Sequence, residues 1–137
     1  MSYARLCYAS QAIKPDQLVR QDLMDIINEA VHFNAQHHIY GVLYYGNGYF
    51  FQCLEGSRED LDYLYYQRIL NDSRHQDTKL LHLDNIEQIQ FSSWNMKFAP
   101  YHQGIRDFMQ QYGKTDFDPF ILSKDNLNQF LDLLFAA

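Results

Sequence analysis

Tyr40-Gly41-Val42-Leu43-Tyr44-Tyr45, Gly46-Asn47-Gly48 and Tyr49-Phe50-Phe51-Gln52-Cys53-Leu54-Glu55 follow one another without a break and read as strand, turn and strand. Gly and Asn tolerate the positive φ that a tight hairpin turn demands, and aromatic and β-branched residues fill the flanks. Strand parity puts Phe50, Gln52 and Leu54 on one face and Phe51, Cys53 and Glu55 on the other.

The pattern extends outward from this hairpin. Upstream, Arg5-Leu6-Cys7-Tyr8-Ala9-Ser10 reads as a short strand with Leu6 and Tyr8 on one face, and Lys14-Pro15-Asp16 as a turn. A helix is predicted from about residues 18–21 to Asn34, with Leu23, Ile26, Ile27, Ala30 and Asn34 on one stripe. Downstream, Ser57 with Asp60 resembles a helix start, and the helix is predicted roughly from Arg58 to Asn71, with Leu61, Leu64, Tyr65 and Arg68 on one stripe. Leu80-Leu81-His82-Leu83 suggests a fourth strand, and the alternation in Ser93-Trp94-Asn95-Met96-Lys97-Phe98 a fifth. The order βαββαββ predicts an α+β, ferredoxin-like sandwich with both helices on one sheet face. Ile105, Phe108, Met109 and Tyr112, then Leu127, Phe130, Leu131 and Leu134, carry helical spacing. These two helices are predicted to cover the other face, and could also serve as a signalling or oligomer surface.

Composition narrows the function classes. The chain has 137 residues, a formal charge of −6 and scattered Lys and Arg, which argues against nucleic-acid binding. No apolar run approaches a membrane span and no signal peptide opens the chain, so a cytoplasmic protein is expected. Cys7 and Cys53 are too few for a disulfide framework, and the six histidines lack metal spacing. Aromatics make up 16% of the residues, more than packing alone requires, which points to a flat ligand.

Several polar groups stand where the pattern calls for apolar ones. Gln52 is on the third strand, central in this topology, and is therefore expected to be buried, tied either to backbone or to a ligand. Asn34 ends the first helical stripe, as a C-cap or facing the same cavity as Gln52. Tyr8 shares that sheet face. A phenol and two amides make poor general acids or bases, but they suit binding and the rearrangement of hydrogen bonds. Arg68, Asp72 and His75 fall at i, i+4 and i+7, either as a solvated helix end with an Arg–Asp pair or as groups holding a phosphate or sugar chain at the cavity mouth. No P-loop or Gly-x-Gly-x-x-Gly is present, so any nucleotide would be held by side chains.

The segments Arg5–Ser10, Asp22-Leu23-Met24-Asp25-Ile26, Asn34, Gly41–Tyr45 and Phe50–Gly56 together resemble the BLUF family, blue-light sensors using flavin adenine dinucleotide. Arg68-Ile69, Asp72, Arg74-His75 and Phe91-Ser92-Ser93-Trp94-Asn95-Met96 continue the likeness in order, over residues 4 to 98. The resemblance implies a photosensor core over residues 1–98, a helical extension over 99–137, and FAD between the two sandwich helices, with FMN or riboflavin as alternatives. It implies Tyr8 as electron and proton donor, Gln52 between that hydroxyl and the flavin, and Asn34 at the flavin's polar edge. Ile26, Phe50 and Leu54 would pack near the ring, and Arg68, Asp72 and His75 would contact the ribityl–phosphate side. Trp94 and Met96 are expected to share one face of the fifth strand and point toward the cavity as output residues, against the alternative of ordinary core.

One departure from the family pattern is Phe33, where many relatives have a polar residue; it bears on dinucleotide affinity and dark recovery. Cys7 and Cys53 are expected on the face opposite Tyr8 and Gln52, as buried free thiols. The expected function is non-enzymatic light sensing. With no room for an appended effector domain, output would pass to a downstream signalling protein, or to a change of homo-oligomeric state, through the fifth strand and C-terminal helices. Membrane and direct nucleic-acid partners are not expected. The rival readings are a flavin reductase or acylphosphatase-like hydrolase, for which no second nucleotide motif or glycine-rich anion loop is found, and a cofactor-free regulatory module.

Overall fold

The computed structural model describes residues 2–136. Strands β1 (Tyr3–Ala12), β2 (Tyr40–Gly46), β3 (Tyr49–Ser57), β4 (His75–Ile86) and β5 (Lys97–Phe98) form one sheet in the order β4-β1-β3-β2-β5. The first four are antiparallel neighbours, whereas β5 runs parallel to β2. Helices α1 (Arg20–His37) and α2 (Arg58–Tyr63) pack on one face, and α3 (Gln103–Gln110) and α4 (Leu127–Ala136) on the other. This is the α+β sandwich predicted above.

Parity along β1 and β3 sorts the residues between two cores. Leu6, Tyr8, Phe50 and Leu54 face α1 and α2, joined by Leu43, Leu61 and Leu64. Cys7, Phe51 and Cys53 face α3 and α4 and meet Ile105, Phe108, Met109, Phe130 and Leu134. Both cysteines are buried free thiols, and burial, together with its neighbour Cys7, holds Cys53 well above the ordinary thiol pKa. No helix among the described residues is long and apolar enough to cross a membrane.

Four local details differ from the sequence reading. The first helix runs one turn past Asn34 and stops at His38, whose left-handed φ of 53° returns its N–H to the Asn34 carbonyl. Asn34 is therefore not the cap residue, and its side chain is free to turn inward. The second helix starts as predicted, with Ser57 Oγ accepting from Asp60 N–H at 3.2 Å, but widens into a π-turn over Leu64–Ile69. It ends there, so Arg68, Asp72 and His75 do not share a helical stripe; His75 opens β4. That strand is much longer than Leu80–Leu83, and register shifts between Cys7/Tyr8 and Ala9/Gln11 break the alternation that would have revealed it.

The fifth strand is reduced to two residues. Trp94 N–H donates to the Phe91 carbonyl at 3.0 Å, making a turn where a pleat was expected, and the Trp94 carbonyl accepts from Gly41 N–H at 3.1 Å. Parity does not hold across a turn, so Trp94 and Met96 go to opposite faces. Met96 joins the α1/α2 core, while Trp94 packs on the far side against Phe91 and Phe135.

Candidate functional site

A cavity of about 340 Å³ opens between α1 and the π-turn, with the sheet as its floor. That is within the ~300–1,000 Å³ range of small-molecule sites. Ile26, Phe33, Leu43, Phe50, Leu64 and Ile69 supply flat apolar walls, and Tyr8, Asn34 and Gln52 the buried polar edge. The π-turn matters here, because an extra residue in the turn changes which side chains face inward; such turns recur at functional sites.

Tyr8 and Gln52 are direct cross-strand partners on β1 and β3. The Tyr8 hydroxyl donates to Gln52 Oε1 at 2.5 Å, and Gln52 Nε2 points at Met96 Sδ, 3.7 Å away. This orientation follows from chemistry. A thioether accepts only weakly and cannot donate, so a reversed amide would aim its oxygen at a group with no proton to give. Burial, followed by the Asp72 charge, pushes the Tyr8 phenol far above its ordinary pKa, so it remains a neutral donor.

Asn34 is 1% exposed. Its Nδ2 donates to the Asn95 carbonyl at 2.8 Å, and Asn95 Nδ2 donates in turn to the Ile39 carbonyl at 3.0 Å. Asn34 Oδ1 has no partner among the described residues. A buried acceptor left alone costs about 1–3 kcal/mol, and this one lines the cavity, so a ligand N–H there would recover that cost.

Polar side chains ring the mouth. His75 Nε2 lies 2.7 Å from the Ile69 carbonyl and Nδ1 lies 2.6 Å from Ser10 Oγ. Since a carbonyl only accepts, Nε2 carries a proton, and the ring ties β4 to the end of the π-turn. Arg74 carries part of the family likeness, but the sequence assigns it no partner. Its guanidinium binds Asp72 at 2.8 and 2.5 Å and Glu29 at 2.6 Å. Burial alone would raise the Asp72 pKa, but hydrogen bonds and charge from Arg74 outweigh it and hold the carboxylate below its usual value. The Arg68–Asp72 pair considered from spacing does not form. Arg68 instead lies over the Phe33 ring, 4.5 Å from its centroid, with no carboxylate partner among the described residues.

Of the residues singled out in the sequence, Tyr8, Ile26, Asn34, Phe50, Gln52, Arg68, Asp72 and His75 therefore line one cavity. Leu54 does not: it is fully buried in the same core, next to Gly41. Met96 reaches the site only through Gln52, and Trp94 is on the other sheet face. Glu29, Ala30, Phe33 and Leu43 line the cavity too, and of these only Phe33 is tied to the cofactor in the sequence reading. The first three follow Ile26 at helical spacing and Leu43 is the cross-strand partner of Gln52, so both signals were available. Among the described residues no cluster of three or more His, Cys, Asp or Glu could hold a metal.

Comparison with known proteins gives this arrangement a lineage. A family profile described as "BLUF: Sensors of blue-light using FAD" matches residues 3–97. The solved structure of BlsA in its ground state superposes with a TM-score of 0.92 at 40% identity, covering 98% of this chain and 89% of that one. The dark-state structure of BlrB, a BLUF protein, gives 0.69 at 26% identity and 80% of each chain. Photoactivated adenylate cyclase subunit beta of Euglena gracilis is 39% identical over 116 residues, or 80% of this chain. The chain spans only 13% of the length of that curated relative. The chain belongs to the BLUF family, and it is a blue-light photosensor.

Proposed function

We propose that the cavity between α1 and the π-turn holds FAD, and that light is registered as a changed hydrogen bond at the Tyr8–Gln52 pair, with no net chemistry. The observation that carries this reading is the 2.5 Å Tyr8–Gln52 bond in the wall of a cavity whose polar edge also holds the unpartnered Asn34 Oδ1. A bound flavin supplies a ring that absorbs blue light, becomes a strong oxidant when excited, and carries N–H and carbonyl groups along one edge.

The chain's own residues do the rest. Asn34 Oδ1 accepts from the ligand's polar edge, while Ile26, Leu43 and Phe50 hold a flat ring and exclude water. Tyr8 Oη holds the mobile proton and already touches Gln52 Oε1, the atom that receives it. Gln52 then rotates or tautomerises, exchanging donor for acceptor both toward the cavity and toward Met96. At the mouth, Arg68 is the guanidinium without a carboxylate and is the group to take a phosphate. Asp72 and His75 are already engaged, with Arg74 and with Ser10 and Ile69, so they act by fixing the rim.

In this reading the chain has no catalytic activity of its own, since the site offers neutral phenol and amide groups and no activated nucleophile. It is a cytoplasmic sensor whose output passes through the segment bearing Met96 to a protein partner or a second copy. The test is visible absorption in dim light and after blue illumination. The protein should carry flavin and shift reversibly to the red, and Gln52→Leu should keep the flavin and lose the shift. An unchanged shift in Gln52→Leu would overturn the mechanism, and a flavin that only bleaches would point to a reductase instead.

A further inference from the structure

A second, shallower groove of about 400 Å³ runs along the exposed side of α1, lined by Asn28, Glu29, His32, Phe33, Gln36 and Arg68. It meets the main cavity at Glu29, Phe33 and Arg68, which line both. We propose that this groove is the seat of the cofactor's adenosine end, and that it makes the protein select FAD over FMN. The proposal rests on the reading of the main cavity as the flavin site.

Three observations carry it. The first is Arg68, at the junction of the two spaces. Its guanidinium lies over Phe33, whose ring also stacks on His37 at 4.2 Å between centroids. Phe33 thus supports Arg68 at the rim. A planar guanidinium, exposed and without a carboxylate, can stack on a nucleobase and pair with a phosphate through the same group.

The second is the donor and acceptor set on α1. His32 Nδ1 lies 3.0 Å from the Asn28 carbonyl and so carries a proton, which leaves Nε2 of the neutral ring as an acceptor. An adenine amino group or a ribose hydroxyl supplies the matching donor. Gln36 and Asn28, both exposed, add amides that can donate to a base's ring nitrogens.

The third is charge. Glu29 would repel a diphosphate, but Arg74 holds it at 2.6 Å. That leaves Arg68 as the unneutralised cation where the two spaces join. Phe33 thereby has two roles: it walls the main cavity and supports the guanidinium at its mouth.

The experiment is a titration of the full-length apoprotein with riboflavin, FMN and FAD, followed by flavin fluorescence. The wild type should bind FAD about tenfold more tightly than FMN, the size of one base stacked on a planar side chain. His32→Ala/Gln36→Ala, on exposed residues outside the main cavity, should erase most of that preference and leave FMN and riboflavin affinity unchanged. Phe33→Ala should erase it as well. Equal FAD and FMN affinity in the wild type, or a preference that survives the double variant, would overturn the adenosine seat. Failure of the underlying reading looks different: none of the three flavins binds, or they bind and illumination produces no red shift.

Discussion

Arg5→Met should cost more than any substitution in the cavity, although Arg5 touches no part of it. Glu55 is fully buried on the far face of β3, directly across the ladder from Arg5. The Arg5 guanidinium grips Glu55 Oε2 at 2.7 and 3.0 Å, and Glu55 Oε1 accepts the backbone N–H groups of Gln90 and Phe91 at 2.9 and 2.8 Å. Removing Arg5 leaves Oε2 charged and unpaired in the core, which costs about 3–5 kcal/mol. For a chain of this length, roughly 3.5 °C of melting temperature is lost per kcal/mol, so the midpoint should fall by roughly 10–17 °C. A Met/Leu replacement of the whole pair should not restore it, because the Phe91 N–H would then be buried without an acceptor. Thermal and urea unfolding followed by far-UV circular dichroism and by Trp94, the one tryptophan, measure both. A drop below about 3 °C would mean that the pair is no stronger than a surface ion pair, and would refute the reasoning.

Other outcomes follow from the same geometry. Gly41→Ala should leave little folded protein, since a Cβ there would be 2.3 Å from the Cys53 carbonyl oxygen, and a loss of about 4 kcal/mol or more is expected; soluble yield and melting temperature check it. Tyr8→Phe should keep flavin binding but abolish the reversible red shift, and it should destabilise by about 1–3 kcal/mol because Gln52 Oε1 loses its donor. Arg74→Gln should cost about 1 kcal/mol at pH 7, with the gap to wild type closing below pH 4. The sign follows from Asp72: its folded pKa is depressed, so the stability it contributes is complete above the unfolded value of 3.8 and is lost as pH falls through the lower folded value. Urea melts at pH 3 and pH 7 that show the same gap would refute it.

The legible parts of this molecule are those governed by neighbouring residues. The Gly46-Asn47-Gly48 turn sets the β2–β3 hairpin, and from there parity alone separates Gln52 from Cys53 and joins Tyr8 to Gln52. Helical spacing likewise puts Asn34 in line with Ile26 and Ala30. What escaped depends on distant groups. Arg74 meets Glu29 across 45 residues, and Arg5 meets Glu55 across 50, so neither pair leaves a local trace. The π-turn keeps a helical composition while its hydrogen bonds slip from i+4 to i+5, as Leu70 N–H to the Tyr65 carbonyl shows, and sequence periodicity does not register that slip.

The misread fifth strand has a cause that bears on function. Residues 93–98 alternate like a strand, but only Lys97 and Phe98 join the ladder. Glu55 holds the backbone at Gln90 and Phe91, Gly41 holds it at Trp94, Asn34 holds it at Asn95, and Gln52 touches Met96. The neutral bonds at Trp94 and Asn95 are worth about 1 kcal/mol net and those to the Glu55 carboxylate about 1.5–3 kcal/mol, whereas β1 and β3 share nine residues of continuous register and cannot slip without breaking several bonds at once. In the proposed reading, a Gln52 amide that exchanges donor for acceptor alters the contact that ties it to Met96. Two residues away, Trp94 already lies on the opposite sheet face, 5.4 Å between ring centroids from Phe135 of α4. In the proposed reading, a signal that begins as one buried hydrogen bond therefore crosses the sheet through a segment held by side chains and single bonds and not by a ladder. The turn that Trp94 N–H closes on the Phe91 carbonyl keeps residues 93–96 from forming the strand their alternation predicts.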